Sequence, residues 1–261
     1  MNRIRQYIIN KPDRKLLIPF FTAGFPTLNQ SLNLISTAVD SGVDFVEIGI
    51  PFSDPLADGA EIQYSSFAAL KNGISLKKIL KMVETIRTKS DVPLILMGYY
   101  NPILTYGEQQ FMADAGNSGV DGLIVPDLSI DEAVIYKRLA DRNKLSTIFL
   151  VSPTSSAERT RRIEKYCSDF VYAVTVTGVT GAGKVFDSAT DNYLKNLRSS
   201  LKKTFVAGFG VSSTETAKRL AKNCDGIVIG SKLVALIREN KNNKQALKAV
   251  EKILKQIRKA I

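Results

Sequence analysis

Short apolar runs and longer amphipathic stretches alternate along the chain. The apolar runs have strand length and are bounded by turn residues, as expected for strands buried on both faces of a parallel sheet. Eight such runs lie at 16–21, 45–50, 94–98, 122–125, 147–151, 170–174, 205–209 and 227–229. Apolar residues at helical spacing occupy 28–40, 76–88, 108–117, 130–143, 156–167, 191–201 and 213–223, and again residue 231 to the end.

Strands that alternate with helices predict a parallel sheet. The eight predicted strands and the length of 261 residues favour a closed barrel, which typically needs about 250 residues, over an open doubly wound sheet. We therefore predict an α/β fold, a (β/α)8 TIM barrel with one extra helix at each terminus, in a single domain over residues 1–261.

An aspartate stands just before every even-numbered predicted strand. The four residues are Asp44, Asp121, Asp169 and Asp225. An aspartate side chain can bind backbone N–H groups where the chain turns. We expect these residues to cap or turn the chain where it enters the bottom of the barrel.

The composition excludes several kinds of catalytic centre. The sequence contains no histidine, so Ser-His-Asp triads, Cys-His pairs and imidazole zinc sites are ruled out. Proton transfer near neutral pH must then fall to Glu, Asp, Lys, Tyr or Cys. Cys167 and Cys224 are far apart and outside any CxxC pattern, so we expect two reduced, partly buried thiols. No cluster of acids or cysteines has ligand spacing, and we predict no metal site.

The net charge is +11, and much of the basic excess lies in the C-terminal segment. Its lysines recur every three or four residues opposite Ala246, Val250 and Ile257, which indicates the solvated face of an amphipathic helix. A nucleic-acid surface is the alternative, but no aromatic residues interleave with these lysines and no recognition motif occurs. A positive field would also attract a phosphorylated substrate. Since neither a signal peptide nor a long apolar run occurs, we expect a cytoplasmic protein.

Two carboxylates lie close together in the sequence around the second predicted strand. Glu47 is inside the apolar run 45–50, where an unpaired carboxylate is costly or shifts its pKa upward. Asp58 is in the loop that follows, so the two form a candidate acid–base pair. The alternatives are a barrel ion pair for Glu47, although basic residues are scarce in the predicted strands, and an exposed turn for Asp58.

Glycine-containing loops follow the sixth, seventh and eighth predicted strands, at 178–183, 208–213 and 230–231. Active sites of such barrels lie at the C-terminal ends of the strands, and the late loops often bind phosphate. Backbone N–H groups at a helix start bind an anion without a lysine. Each glycine alone is equally compatible with a tight turn, but the three loops together favour a phosphate site.

The segment EIGIPFSDPLADG at 47–59 resembles the signature of the tryptophan synthase alpha subunit family. A match of this length is far more specific than a pattern of spaced glycines. Other segments agree, in order, along nearly the whole chain: PFFTAGFPT at 19–27, MGYYNP at 97–102, VPDL at 125–128, TGVTGA at 177–182, GFGV at 208–211 and VIGS at 228–231.

The resemblance implies a lyase that cleaves indole-3-glycerol phosphate into indole and glyceraldehyde 3-phosphate during tryptophan biosynthesis. Glu47 would exchange the proton at C3 of the indole and take one from the side-chain hydroxyl, while Asp58 would bind the indole N–H. The implied phosphate-binding residues are Gly181, Gly208, Phe209, Gly210, Gly230 and Ser231. The implied indole pocket consists of Phe20, Ile62, Tyr99 and Tyr172, and a lid at 175–188 would bring Thr180 to Asp58.

The resemblance also implies a partner. Alpha subunits dock on a beta subunit that carries pyridoxal phosphate, in an α2β2 tetramer, and this chain itself would need no cofactor. Residues 53–59 and 101–104 would face that partner. The chain departs from the family at Ala60 and Ser129, where proline is usual, and at Ala68, where arginine is usual.

Two other functions remain as alternatives at this point. The chain could be a weakly active or inactive subunit that mainly stimulates its beta partner, but the presence of both Glu47 and Asp58 argues against this. It could instead be another phosphate-handling barrel, such as a sugar-phosphate isomerase or an indole-glycerol-phosphate synthase. Those sites often use a lysine at a strand end, whereas the strand ends here offer mostly Glu, Asp and Tyr.

Overall fold

The strands form a parallel barrel. The computed structural model describes residues 2–175, 188–208, 210–240 and 242–261. Its strands are β1 (Leu16–Thr22), β2 (Val46–Gly49), β3 (Leu94–Met97), β4 (Gly122–Ile124), β5 (Ser146–Ile148), β6 (Leu150–Val151), β7 (Phe170–Val174), β8 (Thr204–Gly208) and β9 (Gly226–Ile229). They pair in the order β5-β4-β3-β2-β1-β9-β8-β7-β6, with every neighbouring pair parallel.

The fifth predicted strand is divided at Phe149 into β5, which pairs with β4, and β6, which pairs with β7. The chain is continuous across the division, and Phe149 O accepts a 3.1 Å hydrogen bond from Tyr172 N of β7. β5 and β6 therefore act as one barrel strand that closes the sheet. The predicted (β/α)8 TIM barrel is confirmed.

Helices cover the outside of the barrel and its lower end. Those that the structure describes are α1 (Arg3–Asn10), α2 (Leu28–Asp40), α3 (Ala60–Lys71), α4 (Leu76–Arg87), α5 (Tyr100–Tyr106), α6 (Glu108–Ser118), α7 (Ala133–Arg142), α8 (Ala157–Tyr166), α9 (Ser188–Ser200), α10 (Thr214–Ala221), α11 (Ser231–Glu239) and α12 (Asn243–Ala260). α1 and α12 are the extra helices predicted at the two termini. None of these described helices is both long and apolar enough to cross a lipid bilayer.

The apolar pattern does not predict α3 or α5. α3 begins directly after Gly59, in a segment whose glycine and aspartate indicate only a turn. α5 contains Pro102 in its first turn, a position that tolerates proline because the N–H there has no partner within the helix. The helical segment from residue 231 is two helices, because Asn242 accepts a hydrogen bond from Gln245 N and caps α12.

Alternate strand residues fill the inside of the barrel, since successive side chains of a strand point to opposite faces. The interior cluster contains Leu16, Ile18, Phe45, Ile95, Ile124, Ile148, Phe170, Tyr172, Val206 and Val228, with Ile4 of α1 below them. Because Phe45 faces inward, the alternation directs Glu47 of β2 to the same interior face. A larger cluster lies between the strands and the surrounding helices.

The aspartates that precede the even-numbered barrel strands fasten the bottom of the barrel. Asp44, Asp121 and Asp225 each accept a hydrogen bond from a backbone N–H at the start of the preceding barrel strand. The donors are Leu17, Leu94 and Phe205, at 2.6, 2.9 and 2.9 Å. Asp169 accepts instead from the hydroxyl of Ser146, the first residue of β5.

Each of these carboxylates also has an arginine partner, which supplies the charge that burial would otherwise leave uncompensated. Asp44 is completely buried, pairs with Arg14 and Arg258, and accepts a hydrogen bond from the Tyr7 hydroxyl of α1. The remaining pairs are Asp121 with Arg3 and Arg87, Asp169 with Arg5, and Asp225 with Arg198. Both terminal helices are thus tied to the barrel bottom.

Asp44→Ala should lower the free energy of unfolding by about 3 kcal/mol, because Arg14 and Arg258 would lose their common counter-charge in a buried site. Asp225→Ala is the matched control at the equivalent position, where side-chain exposures of 47% for Arg198 and 28% for Asp225 let water replace the lost pair. We expect about 1 kcal/mol there. Urea unfolding of both variants measures the difference, and equal losses would contradict the assignment.

Candidate active site

Glu47 is buried in the barrel, and no described residue supplies it with a compensating charge. Its strand position is opposite Phe20 of β1 and Ile95 of β3, and it is 1% exposed. Neither carboxyl oxygen has a hydrogen-bond partner in the part of the chain that the structure describes. Burial, followed by the nearby Asp58, raises the pKa of Glu47 from 4.5 to about 8.

The alternative of a barrel ion pair for Glu47 is not supported. Among the described residues, the carboxylates that pair with lysine or arginine belong to other acids. A buried carboxyl group without a cation is most stable when it carries its proton. The Glu47 carboxyl is therefore predominantly protonated at neutral pH.

Asp58 reaches the same end of the barrel from the loop between β2 and α3. The loop turns tightly at this point, since Asp58 N donates to Pro55 O at 3.0 Å and Gln63 Nε2 donates to Asp58 O at 2.9 Å. Burial raises the pKa of Asp58 from 3.8 to about 6, and a hydrogen bond with the Tyr99 hydroxyl opposes that rise. At neutral pH the Asp58 carboxyl is mainly ionised, in contrast to Glu47. The alternative of an exposed turn is not supported.

Tyr172 of β7 faces both carboxyl groups across the barrel. It is 3% exposed, and burial together with the charges of Glu47 and Asp58 raises its pKa well above the usual range. Its ring lies directly against Gly208 of β8: a Cβ atom there would stand 2.1 Å from the Tyr172 hydroxyl oxygen. Only glycine fits at position 208, so Tyr172 connects the two acids to the beginning of the late glycine loop.

Phe20 of β1 makes a second connection between the two sides of the site. A Cβ atom at Gly49 would stand 2.3 Å from Phe20 Cζ, and one at Gly230 would stand 3.3 Å from Phe20 Cβ. Glycine at position 49 thus makes room for the ring beside the acid-bearing strand. Gly230 places the start of α11 on the other side of the same phenylalanine.

The loops after β8 and β9 differ in how their helices begin. Gly210 has φ +88°, a conformation that favours glycine, and Ser213 caps α10 by accepting a hydrogen bond from Thr216 N at 3.2 Å. Gly230 precedes α11 without a side-chain cap, and Ser231 is the first residue of that helix. Leu233 N donates to Gly230 O at 2.8 Å, so among the described residues the N–H groups of Ser231 and Lys232 are the ones left for an anion at the start of α11. Gly181, Thr180 and Phe209 lie outside the described residues.

The structure thus brings together Glu47, Asp58, Tyr99 and Tyr172, and links them to Phe20, Gly208 and Gly230 by direct packing. Ile62 is buried in the first turn of α3, one turn of helix after the loop that carries Asp58. Sequence reasoning placed Tyr99 only in the wall of the pocket and did not foresee its hydrogen bond to Asp58. No local pattern indicates that bond, because the two residues belong to different strand ends.

Two neighbouring carboxyl groups with raised pKa values at the mouth of a (β/α)8 barrel are typical of an enzyme that uses acid–base catalysis. Comparison with known proteins then gives the family. A model of the family described as tryptophan synthase alpha chain matches residues 8–261, and the chain belongs to this family. The family catalyses the alpha reaction of tryptophan synthase, the cleavage of indole-3-glycerol phosphate, and the chain is accordingly a lyase of tryptophan biosynthesis.

Individual relatives agree over most of their length. The tryptophan synthase alpha chain of Geobacter sulfurreducens is 46% identical over 223 residues, which cover 85% of this chain and 84% of the relative. The solved alpha subunit of Legionella pneumophila superposes with a TM-score of 0.92 at 34% identity, over 100% of this chain and 98% of that one. A chain of the tryptophan synthase a2b2 complex of Pyrococcus furiosus superposes with a TM-score of 0.86 at 37% identity, over 93% and 97%. The resemblance seen in the sequence is confirmed, and another phosphate-handling barrel is excluded.

Glu47→Gln should make the stability less dependent on pH. Folding raises the pKa of Glu47 from 4.5 to about 8, so the folded protein takes up a proton between these values. Stability from this group is present below the lower value and is lost as pH rises through the window, by up to about 1.4 kcal/mol per pH unit. Glutamine has no such loss, so the variant should gain stability over the natural protein from about pH 5 to about pH 8.

Urea unfolding across this pH range measures the effect. Ile48→Val is the matched control, because it perturbs the packing of the same strand, β2, without removing a titratable group. Its stability difference from the natural protein should stay constant with pH. A constant difference for Glu47→Gln as well would show that Glu47 is not desolvated in the fold.

Proposed function

We propose that Glu47 and Asp58 are the acid–base pair of the alpha reaction, which splits indole-3-glycerol phosphate into indole and glyceraldehyde 3-phosphate. The observation that supports this most is the contrast between the two groups. The pKa of Glu47 is about 8 and that of Asp58 is about 6, so near neutral pH one carries a proton and the other a negative charge. Environments that separate two pKa values in this way assign one group as acid and the other as stabilising anion.

The reaction needs an acid because the indole ring is a poor leaving group as a carbanion. Protonated Glu47 transfers its proton to C3 of the indole, and the ring becomes an iminium-like cation. The Glu47 carboxylate then removes the proton of the side-chain hydroxyl. The O–H electrons form the aldehyde C=O, and the electrons of the broken C–C bond neutralise the ring. Glu47 ends the cycle protonated, as it began, so no further reactant is required.

Asp58 acts on the other end of the indole ring. Its carboxylate would accept a hydrogen bond from the indole N–H, and this bond strengthens as positive charge develops on the ring. Tyr172, which faces both acids, and Phe20 would form walls of the indole pocket with Tyr99 and Ile62. Because Glu47 and Asp58 lie near each other and near Tyr172, an indole ring bound among them would be oriented for proton transfer.

The phosphate of the substrate would lie at the late loops. Gly208, Gly210, Gly230 and Ser231 are the described members of this proposed site, with the uncapped start of α11 as the source of N–H donors. Gly181 and Phe209 belong to the same proposal, as does a lid in which Thr180 reaches Asp58. A fixed phosphate holds the reacting carbon at a constant distance from Glu47.

Glu47→Gln in the isolated chain should lower kcat for indole release by about a thousand-fold or more, because glutamine cannot donate or accept the proton. Its affinity for indole-propanol phosphate, measured by calorimetry, should stay within about two-fold, since the phosphate and Asp58 contacts remain. Asp54→Asn is the matched control: Asp54 is an exposed carboxylate of the same loop that accepts a hydrogen bond from Ser53. Normal turnover by Glu47→Gln would refute the mechanism.

We propose that a beta subunit docks on the surface formed by the loop after β2 and by α5. Both segments expose a large apolar side chain, Leu56 at 87% and Leu104 at 51%. A related chain is part of the Pyrococcus furiosus a2b2 complex, and an α2β2 tetramer is the corresponding expectation here. Pyridoxal phosphate would belong to the beta subunit. We also propose a cytoplasmic location, because Cys167 and Cys224 are buried free thiols, a state that reducing compartments maintain.

Leu56→Glu and Leu104→Glu should each weaken binding of the beta subunit by about ten-fold or more, because each puts a charge where apolar area is to be buried. Ile9→Glu is the matched control, since Ile9 is 59% exposed on α1 at the opposite end of the barrel. Titration of beta-subunit activity with each variant measures the affinity. A loss for Ile9→Glu equal to the other two would place the interface elsewhere.

A further inference from the structure

We propose that the hydroxyl of Tyr99 is a positioning group that holds the loop between β2 and α3 over the barrel mouth and keeps Asp58 aimed at the substrate as an anion. The inference rests on the proposed role of Asp58. Tyr99 would then have a second role beyond forming a wall of the indole pocket, and its hydroxyl oxygen would perform that role.

Three contacts join Tyr99 to the loop. Its hydroxyl oxygen accepts a 2.9 Å hydrogen bond from Ala57 N, and its ring packs on Phe52 with centroids 5.1 Å apart. Asp58 is the next residue of the loop, and interaction of its carboxyl group with the same hydroxyl lowers the pKa of Asp58. A phenol has one O–H donor and can also accept. Because the amide of Ala57 occupies an acceptor position, the phenol proton is free to point to Asp58.

The backbone of Tyr99 is fixed on both sides, so its hydroxyl has a fixed position relative to the loop. Tyr100 N donates hydrogen bonds of 3.0 and 3.2 Å to the two carboxyl oxygens of Asp127, which follows β4. On the other side, a Cβ atom at Gly98 would stand 2.7 Å from Ile50 Cβ, so glycine there lets the ends of β2 and β3 approach. The rigid ends of β3 and β4 thus position a loop that carries no regular structure before α3.

The Tyr99 hydroxyl stabilises the negative charge of Asp58, a role that a lysine or arginine would otherwise fill. Asp58 is partly buried and lies near Glu47, and the described groups that face it are Glu47 of β2, Tyr172 of β7 and Tyr99 itself, with Asp127 beside Tyr99. None of these is basic. A neutral donor stabilises the charged form of Asp58 without forming an ion pair that would compete with the indole N–H.

Tyr99→Phe tests the proposal because it keeps the ring on Phe52 and removes only the oxygen. In the natural chain, activity should fall on the acidic side as Asp58 takes up a proton, near its pKa of about 6. Loss of the donor raises that pKa, so the acidic limb of kcat/KM should move upward by about 0.5–1 pH unit. At neutral pH kcat should fall by about ten-fold, about two-fold of it from the pKa shift and the rest from the lost hydrogen bond to Ala57 N that holds the loop. The pH dependence of indole-propanol phosphate affinity should move by the same amount, since binding also uses the Asp58 anion.

Matched measurements separate this role from a structural one. Tyr64→Phe, on α3 with the tyrosine 48% exposed, should leave the pH profile unchanged. Replacing Tyr99 by 3-fluorotyrosine, a stronger donor of nearly equal shape, should move the limb in the opposite direction and does not depend on the folding of the phenylalanine variant. In an Asp58→Asn background, Tyr99→Phe should change residual kcat less than two-fold, because the two act through one group.

The proposal is wrong if the acidic limb of the kcat/KM pH profile stays in place in both Tyr99 variants. It is also wrong if the effects of Tyr99→Phe and Asp58→Asn on kcat are fully additive. The proposed function has a separate test. If Asp58→Asn alone retained full activity, the role of Asp58 itself would be wrong. If Asp58→Asn were inactive and the Tyr99 variants kept the natural pH profile, only the positioning role would fail.

Discussion

The desolvation of the Glu47 carboxyl group is the constraint on which the site depends. A carboxylate inside a parallel barrel strand loses its water, and the flanking residues Phe20 and Ile95 return no hydrogen bond to it. The least costly response is to keep the proton, which raises the pKa of Glu47 to about 8. The same burial that would destabilise an ordinary core therefore produces a proton donor at neutral pH.

The two ends of the barrel treat buried acids in opposite ways. At the bottom, Asp44 receives a backbone N–H, a phenol and two arginines, so its charge is fully compensated and fastens both termini to the strands. At the top, Glu47 has no cation beside it among the described residues, and Asp58 has only a phenol. The paired charge of Asp44 stabilises the fold, whereas the unpaired Glu47 keeps a proton that it can donate. One barrel can hold both because its ends are separated by a layer of interior side chains.

Close packing at glycines gives the upper end its shape. Gly49 and Gly208 leave room for the rings of Phe20 and Tyr172, and those rings bridge the acid-bearing strand and the late loops. Tyr99 then fixes the intervening loop through Ala57 and Asp58. The loop that carries Asp58 is thus held by a side chain from the end of β3, so its geometry depends on the neighbouring strands of the barrel rather than on its own sequence alone.

Local patterns in the sequence were enough to predict the barrel, because the apolar runs and the helical periodicity are local properties that follow from burial. The sequence also predicted that four aspartates lie at the bottom of the barrel, since each directly precedes an even-numbered strand, but their partners on the preceding strand come from the tertiary structure. It did not predict α3, which begins directly after the Asp-Gly turn at 58–59, or α5, which has only 7 residues and contains Pro102 in its first turn. Only the folded arrangement shows that Asp44 has two arginine partners while Glu47 has none among the described residues, and that Tyr99 lies beside Asp58. A pKa depends on distances in three dimensions between residues from different strands, and no spacing along the chain encodes those distances.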